Sequence, residues 1–249
     1  MKSFVWLVLG LILFGVMAAC AEPPPEPIPT STPEVVDLQI TPAVAHWLPA
    51  VAGCAEDIPG FGVYTQVLPR VELSVEHSDL ILRLGERLEG DPFVSFVGLD
   101  DIVLVAGQDV PVDALSVESL QAIYAGEITI WAEVPEYNGD ADSGVQPITT
   151  LSYPSGHEIE LLFRRAYLDD EPVDANSQTF STIPFLADLM DAHPYALGYL
   201  LASQVPEGMR VLPVIAEREI ASEQWVLAVT SSEPEGKLKQ LLLCLQDQR

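Results

Sequence analysis

The residues with the most evident chemistry stand together in the segment Leu151-Ser-Tyr-Pro-Ser155-Gly156-His157. An extended run over Pro147 to Leu151 enters a turn at Pro154-Ser155-Gly156. It leaves as a helix whose apolar positions Ile159, Leu162, Phe163, Ala166 and Tyr167 follow the i, i+3, i+4, i+7, i+8 rule. A helix that starts at His157 has unbonded N–H groups in its first turn and the positive end of its dipole at the same point. Ser155, Gly156 and His157 therefore form a candidate cradle for an oxyanion, one that needs no basic side chain. Ser155 and Glu158 also have the spacing of a capping box, which explains both as helix-start chemistry alone. His157 adds a donor to an anion only when protonated, and at an exposed first turn it is otherwise merely solvated.

Other chemistries lack their residues. A serine nucleophile on a sharp turn needs Gly-x-Ser-x-Gly, and Tyr153-Pro-Ser155-Gly156 lacks the first glycine. His157-Glu158 is not followed by the second histidine of a zinc-protease helix, and neither a phosphate loop nor Gly-x-Gly-x-x-Gly occurs. His46, His77, His157 and His193 form no pair on one helical face, and the 3 cysteines give no metal spacing. No catalysis, cofactor or metal is expected. The charge excludes a further class: 11 Lys+Arg against 37 Asp+Glu give −26, so a basic surface for nucleic acid is absent. With 49% hydrophobic and 19% charged residues, most of the 249-residue chain is expected to fold.

The elements that must position the turn alternate along the chain. Val35–Ile40, Gly62–Leu68, Val71–Val75, Leu80–Leu84 and Phe93–Ala106 read as extended. Thr41-Pro42 opens a helix carrying Trp47, Leu48 and Val51 that Pro49 must bend or restart. Helical spacing appears at Leu115–Tyr124, Ile183–Met190 and Leu238–Leu245, with strands at Ala196–Leu201, Arg210–Val214 and Trp225–Val229. This alternation predicts an α/β protein with largely parallel sheets.

Ahead of the body, Lys2 precedes an apolar run from Phe4 to Ala19, too short for a comfortable span and followed by small residues, as in a secretion signal. Met17-Ala18-Ala19-Cys20 resembles the bacterial lipobox, which implies lipidation of Cys20; an ordinary signal peptide and a retained anchor helix are the alternatives. Pro23, Pro24, Pro25, Pro27, Pro29 and Pro33 then mark an extended tether reaching up to ~40 Å. In an oxidising compartment Cys54 and Cys244 are expected either to join in a disulfide, the simplest use, or to remain two buried thiols.

Four segments, in order, resemble the phosphate-type periplasmic solute-binding proteins of ABC importers. They are Leu115-Ser…Gly126-Glu-Ile128-Thr-Ile-Trp131, Asp101-Ile-Val-Leu-Val-Ala, the Pro147–His157 stretch and Ala196-Leu-Gly198-Tyr199-Leu. The resemblance implies a two-lobed type 2 periplasmic-binding-protein fold, each lobe a mixed sheet flanked by helices. Residues 1–19 would be signal and 20–35 a lipidated tether, with 36–107 plus 216–249 forming one lobe and 108–215 the other. It favours a Cys54–Cys244 bridge, because the C-terminal helix of such proteins returns to the first lobe. It also implies ligand contacts from Ser155, Gly156 and the next residue, His157, where the family usually has Thr. In the first lobe, Glu86 of Leu84-Gly85-Glu86 stands where the family places Ser-Asp, although it also reads as a surface acid beside Arg87; Thr41 resembles the other first-lobe contact. The family's arginine, a few positions before Ser-Gly, is missing here. The expectation is a monomeric lipoprotein on the outer face of the bacterial cytoplasmic membrane, binding a small anionic solute and docking to permease subunits. The alternative is a same-fold sensor or adaptor that has lost small-ligand transport.

Overall fold

A computed structural model describes residues 32–216 and 220–248. The signal, Cys20 and nearly all of the tether lie outside the described residues. Contacts separate the chain after Thr32, and Pro33–Arg249 forms one unit.

The strands are β1 (Glu34–Ile40), β2 (Phe61–Val67), β3 (Leu80–Leu84), β4 (Phe93–Ala106), β5 (Leu115–Ser116), β6 (Thr149–Ser152), β7 (Gln178–Thr179), β8 (Ala196–Leu201), β9 (Arg210–Leu212), β10 (Val214–Ile215) and β11 (Glu223–Thr230). The helices are α1 (Leu48–Glu56), α2 (Val117–Tyr124), α3 (Ala141–Gly144), α4 (Glu158–Tyr167), α5 (Ile183–Ala192) and α6 (Gly236–Gln246). Pro49 restarts rather than bends its helix: a 3-10 turn over Pro42–Trp47 gives way to α1, with the proline in the first turn where its missing N–H costs nothing.

The main sheet runs β2-β1-β3-β11-β4-β8-β6-β7, with β9 also on β4. It is mixed: β1 pairs parallel with β2 and β3, β11 lies antiparallel to β3 and β4, and β6 is parallel to β8 and β7. The long strand β4 makes the sheet two-lobed. Its residues Phe93–Asp101 pair with β11, and Ile102–Ala106 pair with β8. One unbroken backbone thus passes from the first group of strands to the second, so any ligand between the lobes lies beside a shared strand.

All five residues of β3, Leu80–Leu84, are buried, as are the successive residues Leu38, Gln39 and Ile40 of β1, as strands covered on both faces require. In the second lobe an aromatic stack fills the space beneath α4: Phe163 lies 3.7 Å from Tyr199 with planes 3° apart, and Tyr124 meets Phe163 edge-on at 5.0 Å. Trp131 is completely buried and donates to the Tyr195 carbonyl, while Gly126 turns the chain at φ +76°, where a side chain would collide with Asp174.

Val71–Val75 is not extended. The segment holds a 3-10 turn at Arg70–Glu72, and Val71 is 91% exposed. Both sides of β1 are taken by β2 and β3, so the sheet offers this segment no ladder beside β1, and Pro69 could not donate to one. Among the described residues no helix is long and apolar enough to cross a membrane.

Cys54 on α1 and Cys244 on α6 form a disulfide, with Cα atoms 5.8 Å apart. It ties the start of the body to its last helix across a sequence separation of 190. Chain-entropy reasoning gives such a loop about 2–5 kcal/mol of stabilisation. Cys54→Ser with Cys244→Ser should therefore lower the denaturation midpoint by a corresponding amount in urea titrations, and reductant should do the same to the native protein while leaving the double variant unchanged.

Candidate functional site

Three strand ends converge where the lobes meet. Thr41 follows β1 and is completely buried, Leu84 ends β3, and Ser152 ends β6 before the turn into α4. The crevice outside the carboxyl ends of the strands is where open α/β sheets hold ligands.

The turn into α4 differs from a simple capping box. The N-cap residue is His157, whose Nδ1 accepts from the Ile159 N–H at 3.3 Å. Ser155 is exposed and does not cap. Gly156, at φ +84°, donates its N–H to Glu160 Oε2 at 3.0 Å, and the His157 N–H bonds the Pro154 carbonyl. Three donors at this helix start, the N–H groups of Gly156, His157 and Ile159, are thus already bonded within the chain. Two acids in the first turn, Glu158 and Glu160, face the positive end of the helix dipole.

Glu158 is the central residue. It is 4% exposed, and its carboxylate reaches across to the first lobe. Thr41 Oγ1 donates to Oε2 at 2.6 Å, and Arg70 Nη1 to Oε1 at 3.4 Å. Burial pushes the Glu158 carboxyl above the usual carboxylate range. The Thr41 hydroxyl, Arg70, the Leu84 backbone and Arg83 pull it back only in part. Among the described residues no buried side-chain nitrogen or oxygen lacks a hydrogen-bond partner. The junction is therefore closed by the protein's own carboxyl group.

His157 is half-buried and stacks on Tyr153 at 4.3 Å with planes 12° apart. Desolvation lowers its pKa to about 4, so it is neutral near pH 7 and its Nδ1 is an acceptor. The solvated histidine and the protonated donor are both replaced by a ring that caps and packs. Glu86 is exposed, and its backbone carbonyl accepts from Arg83 Nη1 at 2.8 Å. Thr41 and the α4 turn thus come together through Glu158, whereas Glu86 stands apart from that contact on the flank of the cleft.

A second set of contacts pins the lobes nearer the shared strand. Ser203 donates its N–H and hydroxyl to Asp100, His46 Nε2 lies 3.3 Å from Ser203 Oγ, and Gln204 Nε2 donates to the Ala43 carbonyl at 3.0 Å. The residue types are those of a hydrolase triad, but Asp100 bonds the serine, and His46 Nδ1 is held by Gln204 at 2.8 Å. An acid that does not orient the histidine cannot set up a serine nucleophile. No group of three or more metal-ligating side chains occurs among the described residues.

The family profile described as PBP superfamily domain matches residues 86–240. The chain belongs to the PBP superfamily. Solved structures agree on the fold. An ABC-type phosphate transport receptor from Vibrio cholerae has a TM-score of 0.68 at 15% identity, over 86% of this chain and 94% of the other. A putative phosphate ABC transporter substrate-binding protein with bound phosphate from Clostridium perfringens gives 0.68 at 19% identity, over 85% and 93%. A reduced form of OxyR from N. meningitidis gives 0.61 at 15% identity, over 87% and 96%. At these identities the likeness establishes the two-lobed fold and leaves the ligand open. Within this PBP protein, the sequence pattern points to the α4 turn and Thr41 but gives no signal for Arg70, which comes from a segment 88 residues away.

A raised carboxyl pKa means that the folded state favours the neutral acid. That contribution is full below the unfolded value of 4.5 and is lost as pH rises through the raised folded value. The stability of the native protein relative to Glu158→Gln should thus be greatest in acid and decline toward neutral pH, as read by denaturant titrations between about pH 4 and 8. An advantage for the native protein that grows with pH would contradict this.

Proposed function

We propose that this protein is an exported, lipid-anchored solute receptor of an ABC importer, and that its cleft takes a small, phosphate-like oxyanion. Lipidation at Cys20 would anchor it to the outer face of the cytoplasmic membrane. The lobes are taken as 36–107 with 216–249, and 108–215. One observation carries the reading: Thr41 and Arg70 of the first lobe already hold the two oxygens of a carboxyl group, that of Glu158 at the start of α4. These first-lobe donors are suited to an oxyanion, and a ligand that also took up the α4 turn would touch both sides, the arrangement by which a ligand favours a closed state. The arginine missing from the second-lobe loop has a counterpart in Arg70, supplied by the first lobe. A captured oxyanion would displace Glu158 and take over Thr41, Arg70 and the Ser155-Gly156 turn. Permease subunits would then recognise the closed form of a receptor taken as a monomer.

The burial of Glu158 and the bonding of both its oxygens favour a second reading. A PBP protein with its cleft filled from within would act as a sensor or adaptor through its surface.

A thermal-shift panel of phosphate, sulfate, molybdate, tungstate and small carboxylates separates the two. The receptor reading expects at least one clear rise in Tm, because ligand at 100 times its Kd adds ~2.7 kcal/mol. Silence at millimolar concentrations favours the adaptor. For the anchor, mass spectrometry should find a diacylated N-terminal Cys20, and an unmodified Cys20 in the exported protein would overturn it.

A further inference from the structure

Basic side chains are scarce in this chain, 11 against 37 acids, yet Arg70, Arg87, Arg164 and Arg165 line one cavity of ≈ 170 Å³. Two acids, Glu86 and Asp170, share that lining. The four arginines come from both lobes, Arg70 and Arg87 facing α4, which carries Arg164 and Arg165. Their existing contacts leave donors to spare. Arg87 is exposed and bonds the Asp91 carbonyl at 3.2 Å, and Arg165 is 59% exposed with Asp170 only at 4.0 Å. Arg164 is fixed by Glu160 and by the carbonyls of Asp170 and Glu171, so it forms a rigid wall. Mutual repulsion adds to burial here: Arg165 and Arg83 both help to lower the Arg70 pKa, a field that an anion would relieve.

A larger cavity of ≈ 480 Å³ shares Glu86, Arg87, Leu162 and Arg165 with the first and continues along α4. Its other walls include Ala166 and Trp225, the latter 52% exposed as the third residue of β11, together with Gln224 and the exposed acid Glu223. Together the two make a groove with guanidinium donors at one end and an apolar, aromatic surface at the other. Convergent polar groups beside an apolar wall are the composition of a small-molecule site.

We propose that this groove binds an amphipathic organic anion. Its phosphoryl or carboxylate group sits among Arg70, Arg87 and Arg165, and its apolar body lies along Leu162, Ala166 and the Trp225 ring. The site goes beyond the oxyanion junction at Thr41 and Glu158, sharing only Arg70 with it. Because it spans both lobes, its ligand would strengthen their closure. Phenyl phosphate matches both ends of the groove, inorganic phosphate only one, and phenol only the other.

The test is titration of the full chain by calorimetry with these three probes, with tryptophan fluorescence as a second readout. Phenyl phosphate should bind most tightly. Arg87→Ala with Arg165→Ala, both exposed positions whose loss leaves the fold intact by Tm, should weaken it at least about tenfold. Trp225→Ala should remove the advantage of phenyl phosphate over inorganic phosphate and the fluorescence change with it. Glu158→Gln should leave phenyl phosphate binding in place. Binding undiminished by the double arginine substitution would overturn the assignment while leaving the receptor reading intact. Absence of saturable phenyl phosphate binding to the native protein at millimolar concentrations would overturn it as well. Phenyl phosphate binding that is lost only in Thr41→Val would place the probe at the Thr41 junction and overturn the groove.

Discussion

The hydrogen bond from Thr41 to the Glu158 carboxylate is the constraint on which the cleft depends. It joins the end of the first strand to the first turn of α4, and Arg70 clamps the other oxygen. A carboxylate this deeply buried is costly unless its oxygens are bonded, and here donors from the opposite lobe bond them. The arrangement therefore couples two things: the lobes stay together while Glu158 is satisfied, and Glu158 is satisfied while the lobes stay together. His157 caps α4 by accepting the Ile159 N–H, and Glu160 takes the Gly156 N–H, so two donors of the helix start already have internal acceptors.

Much of the framework was legible from local pattern. The buried strands announced themselves as apolar runs, and the i, i+3, i+4, i+7 stripe of α4 predicted the face that packs on Tyr124 and Tyr199. The long strand β4 was readable as a single extended stretch despite Gly98 and Asp100-Asp101. Where local pattern misled, a neighbour decided. Val71–Val75 has strand composition, yet its start is drawn into the 3-10 turn at Arg70–Glu72, and β2 and β3 already occupy both sides of β1. Ser155 and Glu158 have capping-box spacing, yet Glu158 bonds a threonine 117 residues away rather than its own helix start. Nothing in a single sequence marks such a pairing, because it is made by topology and not by spacing.

The cluster of arginines shows the same limit for charge. Composition alone gives a net −26 and suggests a surface that repels anions. Folding brings Arg70, Arg87, Arg164 and Arg165 to one cavity, so that a local field can oppose the global one. The two sides of the cleft thus handle negative charge differently. At the Thr41 end the protein supplies its own carboxyl group, whereas along α4 it presents guanidinium groups to solvent. Fold likeness to proteins described as phosphate receptors and to OxyR is compatible with this division, since one scaffold supports different ligands through different cleft residues.

The most direct measurement is the separation of the lobes in solution, by small-angle scattering or by distances between spin labels placed one on each lobe, for the native protein and for Glu158→Ala. If the Glu158 carboxylate closes the cleft, the native protein holds a single short distance, Glu158→Ala shifts to longer ones, and added formate or acetate restores the short distance. Identical distances in both proteins, unaffected by either anion, would contradict the account.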